Sequence, residues 1–549
     1  MNDDTHPLSP AGRLRALEGM ETSPIDILVI GGGITGAGIA RDAALRGFRV
    51  ALVEKTDFAS GTSGRSSKIV HGGVRYLEYG HFLLVRESAR ERRIVQQIAP
   101  HLVHRLDFVY PVFAPDSLLK IRAGLSVFDW LADTDDPDRH AVLEPDEVRA
   151  HLPGLRDPLK GAVRYVEYIT DDARLTLENV ASAAAHGAFV ANHAKAEHLF
   201  TDDDGRVHGA RVRDLTTDRA YEVQADVVVN AGGPWAQAIL EESHLPVEKP
   251  LRPSKGIHLL LSADRLPILG ASFLKSTTGR RGLAMRRGPY VYVGTSDDEY
   301  DGPLETPYAT RADVLDLLAM VQDCFPDAGL TIDDVLATWA GVRPLIAEEG
   351  KTTRDTSRED EVWHHPPGLV TIAGGKLTTY RRMAGRVMEV VLEELDPDQT
   401  TEDRTASTPL VGSPPSPDFV EEQLAALRAR GVDEHTTERL AFLYGTQLAH
   451  FLAYADEDPS WLEPLGAGVP ALRCEIRHAV EHEMALTLID AMDRRTALLL
   501  FSPDSALDGA EEAGAIMAVL LGWDDERTAT ELSRYRAWAT THRVPAEDG

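Results

Sequence analysis

The sequence predicts an α/β protein with an inserted, mostly antiparallel β domain and an all-α C-terminal domain. Three observations predict it: a strand, glycine turn, helix and strand in that order over residues 25–54; a stretch over 251–300 that alternates apolar and polar residues between turn signals; and a largely helical pattern beyond residue 418. In the first of these, an apolar strand runs into Gly31-Gly32-Gly33 and on to Gly36, and a second strand, Val50 to Val53, ends in Glu54. Gly31 lets the backbone leave the strand sharply, Gly33 has no side chain to keep a diphosphate away, and Gly36 lets the helix pack close to the sheet. The helix N-terminus then offers unpaired N–H groups and the positive end of its dipole. Glu54 follows Gly36 by 18 residues, near the spacing of a ribose-binding carboxylate. Together these features read as a Rossmann-like dinucleotide site.

The remaining elements follow in order. Residues 1–24 are polar and read as a mobile tail. Residues 55–80, rich in Gly and Ser, read as an ordered binding loop, followed by helices over 81–100 and 118–131. A strand is expected over 161–169, a helix over 172–186 ended by Gly187, and a short strand over 225–230 that runs into Ala-Gly-Gly-Pro-Trp. Another apolar strand, 369–373, runs into Gly374-Gly375-Lys376, which opens a helix to Leu395. Strand ends near 31, 231 and 373 thus all carry glycine turns, and open α/β sheets bind ligands at such ends. The predicted division is a discontinuous dinucleotide-binding domain (about 25–112, 161–235 and 366–395), a substrate domain (about 113–160 and 236–365), a Pro/Ser/Thr/acid-rich linker (396–418) and a separate helical domain (419–543).

A chain of 549 residues is too long for one core. Its net charge of −30 argues against nucleic acid as a partner. The same charge disfavours broad adhesion to anionic lipid, though a local basic patch could still dock. Only Cys324 and Cys474 are present, so no disulfide framework is expected and a reducing, cytoplasmic setting fits. No stretch approaches the apolar length of a transmembrane helix, so any membrane association would be peripheral. No metal site is expected: the histidines are scattered, and His364-His365 before two prolines lacks helical ligand spacing.

The stretch Gly61-Thr62-Ser63-Gly64-Arg65-Ser66-Ser67-Lys68-Ile69-Val70-His71-Gly72-Gly73-Val74-Arg75-Tyr76-Leu77 closely resembles the FAD-dependent glycerol-3-phosphate dehydrogenases of the respiratory, aerobic type. So do Asp171-Asp172-Ala173-Arg174-Leu175, Gly341-Val342-Arg343-Pro344-Leu345, Gly374 to Arg381, and Glu481-His482-Glu483 with Arg494-Arg495-Thr496. The resemblance covers about residues 25–530. Departures are small: Gly64 stands for a usual Ser, Ala497 for a usual Lys, and Ser296 for Thr in Gly294-Thr295-Ser296-Asp297.

The resemblance implies FAD as cofactor, sn-glycerol 3-phosphate as substrate, and a membrane quinone as the next acceptor at the cytoplasmic face of the membrane; a homodimer is left open. It implies that Ser60, Ser66, Ser67, His71 and Gly73 wrap the flavin side. Gly375, Lys376, Leu377 and Thr378 would lie near the pyrimidine edge, where a helix N-terminus and an ammonium favour negative charge. A phosphate dianion demands fixed cations, and Arg75, Arg343 and Arg354 are the candidates because a guanidinium binds phosphate oxygens in pairs. Arg343 leads them, since an idle charge in its apolar setting is costly. Each arginine alone could equally be structural.

Oxidation of a secondary alcohol needs a base for the hydroxyl proton as hydride leaves C2. His258, within Lys255-Gly256-Ile257-His258, is the preferred base. Lys376, an arginine-activated water, or several cations sharing the alkoxide charge are alternatives. Tyr76 and Thr295 line the site or merely pack, and Trp235 packs beneath the cofactor. Rival readings are an oxidase that uses oxygen, a flavoprotein that oxidises an amino acid or amine, and a flavin-binding scaffold without turnover.

Overall fold

Ile25–Ile30 lies inside a sheet ordered Asp360–His364, Leu369–Gly374, Ala220–Asn230, Ile25–Ile30, Val50–Val53, Phe189–Ala191. The computed structural model describes residues 5–74, 82–134, 138–348, 350, 359–396 and 401–546. The four pairings from Leu369–Gly374 through to Phe189–Ala191 are parallel, whereas Asp360–His364 pairs antiparallel, as does Val207–Asp214 on the outer part of Ala220–Asn230. Layers cover both faces, which is why Ile27, Leu28, Val29 and Val227, Val228, Val229 form unbroken apolar runs with no exposed surface. The helices Ile34–Leu45, Asp172–Ala185 and Tyr380–Leu395 contribute the small and branched side chains of one such layer.

Among the described residues the second sheet has ten strands, ordered Asp298–Glu299, Leu251–Ser262, Tyr290–Gly294, Arg281–Arg287, Ala271–Lys275, His104–Phe113, Leu159–Ile169, Ile69–Val70, with Val335–Ile346 also paired to Leu251–Ser262 and Ala141–Leu143 to Leu159–Ile169. It is mostly antiparallel, as the alternation predicts. The expected division of the chain is not how the strands are shared. His104–Phe113 and Leu159–Ile169, predicted to fall largely in the dinucleotide domain, belong to this second sheet, while Asp360–His364, predicted in the substrate domain, edges the first. Local patterning identifies strands well but carries no information on which sheet receives them.

Two further expectations are corrected. The tail before Ile25 is not loose over its described part: Pro10–Thr22 is a helix capped by Ser9, and Leu17 and Met20 are fully buried. Its Arg13 is anchored on Asp214 and on the carbonyl of Asn192. The helical C-terminal part is present, from Pro417–Ala429 to Asp525–Thr540, but it is not separate. Trp339 and Tyr292 of the second sheet share one apolar cluster with Leu498, Leu499 and Phe501 of the C-terminal part. The stretch before it is also tied down, since Arg41 donates to the carbonyls of Thr405 and Thr408.

Buried charge pairs join the C-terminal part to the binding loop. Arg65 pairs with Asp493, and both Arg494 and Arg495 pair with Asp57. Arg65 and Arg494 hold the Asp493 carboxyl well below the ordinary range despite its burial. Removing one member of such a pair strands the other charge without water. Asp493→Ala is expected to cost about 3–5 kcal/mol, read as a large drop in Tm; a Tm within a degree or two of the parent would show that the pair carries no structural weight.

Candidate active site

The glycine turn has the geometry the sequence predicts. Gly31 sits at φ 115°, and a Cβ there would meet the Ala231 carbonyl oxygen at 2.5 Å. A Cβ on Gly36 would lie 1.9 Å from the Gly31 carbonyl oxygen, so no other residue lets the helix start this close to the turn. At Gly33 an added Cβ would meet only Ser63 Oγ, at 3.1 Å. Ser63 Oγ also accepts from the Ile34 N–H at 2.8 Å, satisfying one of the helix's first donors. Glu54 accepts from the Gly32 N–H at 2.7 Å and from the Thr56 N–H at 2.9 Å, which places its carboxylate at the rim of the turn. An open backbone face at a helix N-terminus, with a carboxylate at its rim, fits the diphosphate and ribose of a dinucleotide such as FAD.

The loop after Glu54 is held by buried carboxylates rather than by regular structure. Asp172 accepts from the Ser66 N–H at 3.0 Å and the Ser66 hydroxyl at 2.7 Å, and pairs with Lys68. The Gly72 N–H donates to Glu167, which Arg92 neutralises. The His71 N–H donates to Thr378 Oγ1 at 3.0 Å, bringing the loop onto the turn that carries Gly375, Lys376, Leu377 and Thr378. Gly374 and Gly375 both have positive φ there, and Leu377–Thr379 is a short 3-10 turn leading into the helix Tyr380–Leu395. Ser60 shares a hydrogen bond with Thr56 at 2.8 Å, and Gly73 takes φ 81°. Ser66 thus spends its hydroxyl on Asp172, whereas Ser67 turns the other way.

Ser67 Oγ lies 2.8 Å from His258 Nε2 in a hydrogen bond. The imidazole stacks on Trp339, with ring centroids 4.7 Å apart and planes within 11°. That indole donates to the Ser66 carbonyl at 3.3 Å. His258 and Trp339 are directly opposite in the pairing of Leu251–Ser262 with Val335–Ile346, as are Gly256 with Gly341 and Ser254 with Arg343. Side chains two apart share a face. The glycine pair therefore leaves a hollow between the His258–Trp339 pair and Arg343.

The Arg343 side chain crosses that hollow: a Cβ on Gly256 would lie 2.3 Å from Arg343 Nη2 and 2.6 Å from Thr295 Oγ1. Arg343 Nη2 donates to Thr295 Oγ1 at 2.9 Å and to the Ser296 carbonyl at 3.2 Å, while Nη1 reaches Asp297 at 3.4 Å. Gly341 is required on the opposite strand because a Cβ there would meet the Arg65 carbonyl oxygen at 2.7 Å.

Burial first, then the charges of Arg343 and Lys68, push His258 down to about 3, so the imidazole is neutral near neutral pH. Among the described residues its Nδ1 has no hydrogen-bond partner.

The structure therefore brings His258, Arg343 and Thr295 together and sets the Lys376 turn against the loop that carries Ser67 and His71. Arg75, Tyr76 and Arg354 lie outside the described residues. Trp235 packs against Lys55, 4.1 Å from its ring centroid, and donates to Glu305. Sequence reasoning missed Ser63, Trp339, Gly256 and the Lys68–Asp172 pair. Ser63 and Lys68 carried a signal by lying inside the Gly61–Leu77 stretch, as did Asp172 within Asp171–Leu175 and Gly256 within Lys255–His258, whereas Trp339 carried none.

The glycine-turn cradle on one sheet, with a neutral histidine and an anchored guanidinium on the other, suits a dinucleotide-dependent oxidoreductase, and residues 26–381 match the FAD dependent oxidoreductase family. Residues 403–528 match the C-terminal domain of alpha-glycerophosphate oxidase. The aerobic glycerol-3-phosphate dehydrogenase of Staphylococcus saprophyticus is 36% identical over 529 residues, 94% of each chain. That of Staphylococcus aureus is 36% identical over 528 residues, again 94% of each. The glycerol-3-phosphate dehydrogenase from Bacillus halodurans, solved in complex with FAD, superposes with a TM-score of 0.83 at 34% identity, over 98% of this chain and 99% of that one. The L-alpha-glycerophosphate oxidase of Mycoplasma pneumoniae shares the fold at 16% identity, with a TM-score of 0.55 over 70% of this chain and 97% of that one. The chain belongs to the aerobic glycerol-3-phosphate dehydrogenases of the FAD-dependent oxidoreductase family.

Two outcomes are expected. Gly256→Ala should displace the Arg343 guanidinium and lower kcat/KM for a phosphorylated substrate by about ten- to a hundredfold while FAD content stays the same; an unchanged kcat/KM would remove Arg343 from the substrate site. Thermal melts test His258 separately. Its folded pKa of about 3 lies below the ordinary imidazole value, about 6.5 in an unfolded chain. The unfolded chain then binds a proton that the folded one refuses, so this contribution is complete above about pH 6.5 and is lost as pH falls toward the folded value. His258→Gln should make Tm fall less steeply on acidification; an unaltered slope would contradict the assignment.

Proposed function

We propose that the protein oxidises sn-glycerol 3-phosphate to dihydroxyacetone phosphate, with FAD as the immediate acceptor and a membrane quinone as the next. The observation that carries this reading is the guanidinium of Arg343, anchored on Thr295 in the space that Gly256 leaves free and on the same face of the sheet as the neutral His258. FAD, when bound, supplies a two-electron acceptor for the hydrogen leaving C2. The turn at Gly31, Gly33 and Gly36 would hold its diphosphate and Glu54 its ribose. The loop Ser60 to Gly73 and the turn Gly375 to Thr378 would flank its ring.

The remaining chemistry belongs to side chains. Arg343 takes the phosphate dianion, and Thr295 and Asp297 fix the direction in which the guanidinium points. A dianion on Arg343 offsets one of the two positive charges that depress His258, and so raises its proton affinity when substrate is present. His258 then accepts the C2 hydroxyl proton, with Ser67 holding the ring in place. Lys376 adds positive charge where the pyrimidine edge would sit.

The quinone step and peripheral membrane contact are supported by one surface. Leu83, Leu119 and Trp130 are 83%, 74% and 79% exposed on the adjoining helices Phe82–Ile98 and Leu118–Ala132. Arg86, Arg90, Lys120 and Arg122 are exposed on the same two helices. Apolar tips beside basic residues suit an anionic lipid interface despite the acidic chain. Among the described residues no helix is long and apolar enough to cross a membrane. A second reading, oxygen as acceptor, is favoured by the match of residues 403–528 to an oxidase's C-terminal domain.

Stopped-flow reoxidation of the substrate-reduced protein separates the two. Fast reoxidation by a short-chain quinone and slow reoxidation by dissolved oxygen are expected. Fast reoxidation by oxygen with no response to quinone would overturn the quinone assignment and leave the substrate assignment standing.

A further inference from the structure

Histidines that are far apart or unremarkable in the sequence meet in the C-terminal part. His478 and His482 are four residues apart on Arg473–Glu483 and so lie on one face of that helix. His450 projects from the neighbouring helix Leu448–Glu457. One ring nitrogen from each of the three lies within 4.8 Å of the other two. The His450 and His482 rings stack with centroids 4.3 Å apart, and the His478 and His482 centroids are 5.0 Å apart.

We infer that His450, His478 and His482 form a binding site for a zinc-class transition-metal dication, which ties the two helices together. Three details of the geometry carry this assignment. His450 Nδ1 and His478 Nδ1 are 3.4 Å apart. That is long for a hydrogen bond, but it is the edge of a tetrahedron around a metal with bonds of about 2.0–2.1 Å. The far side of the His478 ring is already oriented: Nε2 lies 2.7 Å from Gln447 Oε1 and 3.4 Å from the Glu483 carboxylate. Donation of the Nε2–H to these acceptors leaves the Nδ1 lone pair facing His450, the arrangement by which outer partners fix a metal-ligating histidine. Finally, the His482 Nδ1 is buried and, among the described residues, has no hydrogen-bond partner. An all-imidazole set suits Zn²⁺ and its neighbours Co²⁺ and Ni²⁺, and disfavours Mg²⁺ or Ca²⁺.

A second cluster in the fold shows the contrast. Asp57, His193 and Asp490 also converge, but Arg494 and Arg495 already neutralise them, so a dication there would meet fixed positive charge. Along the chain the histidines are scattered, which argues against a metal site; the fold brings these three together. The metal would also secure the N-terminal segment. His6 packs edge-on against His482 with centroids 4.7 Å apart, and the Met484 N–H donates to the Leu8 carbonyl at 2.7 Å.

The test uses the full-length flavin-loaded protein, stripped with a chelator and titrated with Zn²⁺ alone. Calorimetry should show uptake of one ion per chain, and X-ray absorption at the zinc edge should show a nitrogen/oxygen shell with about three imidazole rings. His450→Ala should weaken Zn²⁺ binding by about tenfold or more with FAD content unchanged. Absence of stoichiometric uptake, a shell with fewer than two imidazoles, or equal affinity in His450→Ala would overturn the site. The absorption measurement needs no variant, so it decides the question even if the substitution disturbs folding.

Discussion

The loop from Ser60 to Gly73 has little regular structure beyond a 3-10 turn at Thr62–Gly64 and the two-residue strand Ile69–Val70, yet it runs between the glycine turn and the sheet that carries His258. What fixes its path is a set of buried carboxylates from other elements. Asp172 holds Ser66 and Lys68, Glu167 holds Gly72, and Asp493 holds Arg65. Burying these charges gains little net stability, since desolvation consumes most of what the pairing returns. Breaking one pair is costly, however, and that asymmetry makes each contact a position marker. With Ser66 committed to Asp172, the next residue must face the opposite way, and Ser67 is delivered to His258.

The site on the sheet follows from register. Antiparallel pairing sets Gly256 against Gly341; the missing side chain of Gly256 gives Arg343 room to reach Thr295, and that of Gly341 admits the Arg65 backbone. The same register puts Trp339 flat against His258 and excludes water from the ring. In the proposed reaction, phosphate recognition and proton affinity would be coupled electrostatically, because the guanidinium that would receive the dianion also depresses the histidine, after burial. The C-terminal part closes the arrangement from behind, with Phe501 packed on both Trp339 and Tyr292.

Much of this was legible in the chain. The turn at Gly31, Gly33 and Gly36 has the predicted geometry because φ and steric limits at a strand-to-helix corner are local properties. The helices over 82–98 and 118–132 and the antiparallel stretch after Leu251 also follow local periodicity. What was hidden depends on partners distant in sequence. Nothing in Ala-Gly-Val-Arg announces that Gly341 will oppose Gly256. The helix Pro10–Thr22 reads as a polar tail because its burial rests on Arg13 meeting Asp214, far along the chain. The four-residue spacing of His478 and His482 was visible, but His450 joins them only once two helices pack. The sequence points to Ser66 as a cofactor contact but gives no sign that its hydroxyl also ties the loop to Asp172.

In the proposed reaction the glycine-turn cradle and the Arg343–His258 pair serve one chemistry, with a phosphorylated secondary alcohol as the reductant of the bound flavin. Anaerobic addition of sn-glycerol 3-phosphate to the purified yellow protein tests it most directly. Rapid bleaching of the flavin spectrum is expected, with dihydroxyacetone phosphate formed in equal amount, and no bleaching by glycine or sarcosine. A flavin spectrum that persists with glycerol 3-phosphate but bleaches with the amino acids would contradict it.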